Sequence, residues 1–80
     1  MNELTEALAT VRARSLVRRL AKVDPNYADD SVFVAALSKH LTRDVVIVQL
    51  LAEWLVSSGD KLAMARFRES VIRRAREMAN

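Results

Sequence analysis

VVIVQLLAEWLV, residues 45–56, holds ten apolar side chains in twelve positions, and the rest of the chain has to be arranged around it. Wound at about 100° per residue, this stretch confines Gln49, Glu53 and the following Ser57 to one narrow seam and leaves roughly two-thirds of the circumference to be covered by other protein. A strand is the other reading of the valine-rich start, but the run is longer than an ordinary strand and no second convincing strand is present to pair with it. A membrane span needs roughly 20 apolar residues. Here Arg43 and Asp44 close one end, Gly59 and Asp60 close the other, and Gln49 and Glu53 interrupt the middle. The segment therefore predicts a buried helix in a protein without a membrane span.

Punctuation on either side divides the chain into four helices. A first helix over residues 4–23 is capped by Asn2 or Thr5, with Glu3 and Glu6 near its positive end, and stops at Asp24-Pro25-Asn26, because proline disfavours helical backbone in the residue before it. Asp30 or Ser31 caps a second helix over 31–41, whose Phe33, Val34, Leu37 and Leu41 share a face. Thr42 is the expected cap of a third helix over 43–58, ended by Gly59 in a left-handed conformation. Asp60 caps a fourth over 61–78, with Met64, Phe67, Val71, Ala75 and Met78 along one stripe. The expected fold is all-α, a small four-helix bundle-like single domain spanning residues 1–80, with helix three at its centre.

Helix one breaks the regular pattern. Leu4, Leu8 and Val11 form a stripe that farther on carries Ser15, Arg18 and Lys22, while Ala13, Leu16, Val17 and Leu20 face nearly the opposite way. Either the helix bends or its first turns pack on something else, a second subunit included. Eighty residues bury only about 60% of the surface of the unfolded chain. With no cysteine and one histidine, neither a disulfide nor the usual multi-ligand zinc site can staple so small a core, so a homodimer is expected. Leu4, Leu8, Val11, Val48, Leu51, Trp54, Leu55, Phe67 and Val71 are the residues expected to form the core or the dimer seam.

Net charge is +3, unevenly spread. Residues 1–23 carry five basic and two acidic groups, residues 24–60 two and six, and residues 61–80 six and two. The opening MNELTEALAT has acids where a secretory signal carries positive charge, which predicts a cytoplasmic protein. Catalysis finds little support. Ser38 and His40 diverge by about 200° on a helix and make no nucleophile and base pair, and His40 reads as a surface or helix-end residue. Asp24, Asp29 and Asp30 lack the spacing and glycine of an EF-hand loop. No enzyme activity, cofactor, metal or small-molecule substrate is expected.

Macromolecular binding fits better. Arg12, Arg18, Arg19 and Lys22 on helix one, with Arg66, Arg73 and Arg76 on helix four, are the candidate contact residues, although Glu69 with Arg73 and Arg73 with Glu77 stand at the four-residue spacing of local ion pairs. The leading expectation is a non-enzymatic regulatory or inhibitory protein that meets an acidic protein partner through these basic helical faces. The alternative is a DNA- or RNA-binding regulator of transcription or of a mobile element using the same arginines on phosphate. Trp54 and Phe67 read as core, which leaves Tyr27 as the exposed aromatic for base stacking. The two helices meeting at Leu41-Thr42 do not match a helix-turn-helix, whose second helix must show polar side chains to a groove.

Overall fold

A computed structural model describes residues 3–79. Four α-helices follow one another: α1 (Glu3–Val23), α2 (Ser31–Leu41), α3 (Val45–Ser58) and α4 (Lys61–Ala79), with a 3₁₀ turn at Pro25–Tyr27 and no strand among the described residues. Among these helices none is long and apolar enough to cross a membrane. Each boundary has a local chemical cause. Asp24 accepts a hydrogen bond from the Asn26 amide at 3.1 Å and Pro25 opens the 3₁₀ turn, so the chain reverses where the helical N–H ladder fails. Asp30 accepts from the Phe33 amide at 3.1 Å and caps α2, and Asp60 accepts from the Ala63 amide at 3.0 Å and caps α4. Asn2 lies outside the described residues, and Thr5 sits inside α1, which already begins at Glu3.

One cap differs from expectation. Thr42 closes α2, donating its hydroxyl to the Lys39 carbonyl at 2.7 Å, and α3 begins two residues later than the sequence suggested, behind Asp44, whose side chain makes no capping hydrogen bond. Gly59 ends α3 at φ 66. No neighbouring atom stands within 4 Å of where its Cβ would be, so Gly59→Ala meets backbone strain and no clash. The variant is expected to lose about 1 kcal/mol, read as a lower urea midpoint at unchanged slope.

The centre of the fold belongs to α2, which corrects the placement of helix three there. Phe33, Leu37 and Leu41 are buried essentially completely, and α1 and α4 each pack chiefly on α2. From α1 come Ala9, Ala13, Leu16, Val17 and Leu20, and from α4 Met64, Val71 and Ala75. Phe33 takes Tyr27 edge-on at 5.9 Å and Phe67 edge-on at 6.1 Å between ring centroids, a geometry that adds to plain burial. Tyr27 is thus buried and not an exposed stacking platform. His40 is buried too, its Nε2–H donating to the Val71 carbonyl at 3.0 Å, because it falls one turn beyond Leu37 on the inward side of α2.

α3 packs on α1 and, less extensively, on α2. It contributes only Val48, Ala52 and Leu55 to the buried core.

Candidate protein-docking surface

α3 turns one narrow stripe inward and leaves its opposite side outward. That outward side carries Val46, Ile47, Leu50, Leu51 and Trp54, between 45% and 69% exposed. Their positions recur at three- and four-residue intervals, so they lie over three turns of one face. Glu53, the one charged side chain of α3, is drawn toward α1, where Arg19 Nη1 stands 3.5 Å from its Oε1. The outer face is left without a charged group of its own. Trp54 and Leu51, expected in the core or a dimer seam, are therefore outside the core of the single chain, while Val48, Leu55 and Val71 are buried and Phe67 is half-buried against the core.

On α1, Leu4, Leu8 and Val11 are exposed, and the helix runs unbroken past them, with Ala9 and Ala13 taking the inward positions. Small side chains there let α1 approach its neighbours closely, and the bulkier stripe lies on a different side.

The candidate basic residues divide between α1 and α4. Arg12, Arg18, Lys22, Arg66, Arg73 and Arg76 are exposed, and Arg19 is tied to Glu53. On α1, Arg12 and Arg19 share one flank while Arg18 and Lys22 lie on another. The expected pairs of Arg73 with Glu69 and Glu77 do not form: the ion pairs among the described residues are Arg19–Glu53 and Arg68–Asp30. What the fold does bring together is Arg43, Arg73 and Arg74, around a polar groove of about 560 Å³ that Asp44 and Glu77 also line. Arg43 and Arg74 were missed, since the α2–α3 link meets the far turns of α4 only through tertiary packing.

Arg68 is the other residue that spacing could not reveal. Its Nε donates to Asp30 Oδ2 at 2.7 Å and its Nη2 to Oδ1 at 3.3 Å, fastening α4 to the start of α2. Burial disfavours the Asp30 carboxylate, but the hydrogen bond from Arg68 and the Phe33 N–H together outweigh it, so the carboxyl sits below its ordinary range. Tyr27, beside them, is pushed up by its burial and by Asp24.

An open groove of about 790 Å³ between α1 and the start of α2 is lined by Arg14, Arg18, Asp29 and Asp30 among others. Asp30 is committed to Arg68 and to the α2 cap, and Ser38 donates its hydroxyl to the Val34 carbonyl at 2.8 Å. Among the described residues no group of three or more histidines and carboxylates is placed to hold a metal ion. Comparison with protein-family models, curated proteins and solved structures finds no match to this chain.

Proposed function

We propose that this chain is a non-enzymatic, cytoplasmic regulatory or inhibitory protein that works by binding other protein. The observation that supports it is the outer face of α3. Five large apolar side chains on one helix make a contiguous patch, and patches of this kind mark places where a partner displaces water, with a gain of roughly 25 cal/mol per Å² of apolar area covered. The exposed arginines of α1 and α4 suit an acidic protein partner, setting encounter rate and partner choice more than affinity.

The convergence of Arg43, Arg73 and Arg74 favours a second reading, a nucleic-acid-binding regulator. The test is an anisotropy titration with labelled generic duplex DNA at low and moderate salt, on the natural sequence and on an Arg73→Glu, Arg74→Glu variant. Protein binding as the function predicts no saturable DNA binding at low salt for either. Three phosphate contacts would instead give a log–log salt slope of about −2.7, lost in the variant, and that result would replace the first reading. A photo-crosslinker placed at Ile47 in cells supplies the positive arm: no protein adduct there sinks the protein-binding reading.

A further inference from the structure

The outer face of α3 matches itself. We infer that it seats the α3 of a second copy of this chain, the two helices running antiparallel across a two-fold axis that passes between Leu50 and Leu51. This rests on the protein-binding reading above and names the occupant of the α3 face.

Spacing along the helix carries the first part of the argument. An isologous contact requires that a residue meeting a given partner position also be met by it in return. With the axis between positions 50 and 51, Leu50 faces the partner's Leu51, and Ile47 faces the partner's Trp54. All four of these outward positions are occupied by large apolar side chains. The parallel arrangement sets Trp54 on the partner's Trp54 and Ile47 on the partner's Ile47, stacking bulk on bulk at one level and leaving none to interlock.

Charge at the helix ends is compatible with the same direction. Arg43 and Asp44 precede α3, and Asp60 and Lys61 follow it. Antiparallel pairing carries the first pair of one copy to the second pair of the other, where Arg43 can meet the partner's Asp60 and Asp44 the partner's Lys61. Antiparallel helix dipoles add in the same sense. Between the ends, the only charged side chain of α3 is held on α1 by Arg19, so pairing buries no uncompensated charge.

Size sets the strength. The face offers on the order of 500 Å² of apolar surface per copy, against roughly 800 Å² per partner in a standard stable interface. The dimer is accordingly weak and its population follows concentration.

Sedimentation equilibrium over a wide concentration range tests this, together with disulfide trapping, which the absence of native cysteine makes clean. The natural sequence is expected to move from monomer toward dimer mass as concentration rises, and Leu50→Glu, at an exposed site, to stay at the monomer mass with its helical circular dichroism retained. Under mild oxidation, a mixture of the Ile47→Cys and Trp54→Cys proteins is expected to give at least tenfold more cross-linked dimer than either protein alone. Cross-linking that is faster for each variant by itself overturns the antiparallel geometry. A monomer at every concentration, with no cross-link, overturns the second copy as occupant. If that monomer still yields adducts to a different protein from a crosslinker at Ile47, the protein-binding reading stands without the dimer; if it yields none and binds duplex DNA with a steep salt slope, both fall.

Discussion

Phe33→Ala is expected to cost about 3–5 kcal/mol, enough to leave an 80-residue fold with a total stability of roughly 4–12 kcal/mol close to unfolding. Phe33 is the largest of the completely buried side chains. It stands at the start of the central helix and meets both Tyr27 and Phe67 in edge-on contact. Truncation opens a void between three elements that cannot all close over it, because α2 is already fixed by α1 and α4. Urea unfolding followed by far-ultraviolet circular dichroism reads the loss. The matching contrast is Trp54→Ala, which removes an even larger side chain from an exposed site and is expected to change the stability of the single chain by about 0.5 kcal/mol or less. Equal losses from the two substitutions would mean that α2 and α3 have been assigned each other's places.

Arg68→Met comes next in size. It leaves the Asp30 carboxylate partly buried with only the Phe33 N–H for support, and the expected loss is about 2 kcal/mol. The sign of its pH dependence follows from the direction of the shift. Because the folded carboxyl titrates below its ordinary range, it binds fewer protons than in the unfolded chain. Its contribution to stability is complete above the unfolded value of about 3.9 and is lost as pH falls through the lower, folded value. Without Arg68, burial acts on Asp30 with less to oppose it, so the acid limb of the stability curve moves to higher pH. Asp30→Asn keeps a side-chain oxygen for the α2 cap while removing the charge. In a double-mutant cycle with Arg68→Met, the double variant is expected to lose less than the sum of the singles. Strict additivity would mean that the contact between α4 and the start of α2 contributes nothing.

Local chemistry was readable in the sequence, and the arrangement of helices was not. Asp24-Pro25, Asp30, Gly59 and Asp60 act within a few residues of themselves, through fixed dihedrals and side-chain hydrogen bonds to nearby amides, and the helix limits follow from them almost residue by residue. Residues 45–56 announce an apolar surface that needs covering, but hydrophobicity does not say which protein covers it. The central place went to α2, less apolar in sequence, which turns Phe33, Ala36, Leu37 and Leu41 inward against the buried Ala9, Ala13, Leu16, Val17 and Leu20 side of α1. His40 could have been read correctly from its three-residue step beyond Leu37. Tyr27, in a polar loop, carried no periodic signal, and Asp30 with Arg68, 38 residues apart, carried none either. Of the basic residues, spacing along a helix showed which share a flank, but only the packed chain brings Arg43 beside Arg73 and Arg74.

Trp54 is the only tryptophan of the chain, and it stands in water. An indole already hydrated in the folded protomer changes its emission little when that protomer unfolds, whereas covering α3 moves the emission to the blue. The molecule thus carries a built-in optical gauge of what sits on that helix, while circular dichroism follows the helices themselves. Unfolding curves from the two signals need not coincide, and their separation would record the departure of whatever covers Trp54 and not a partly folded intermediate.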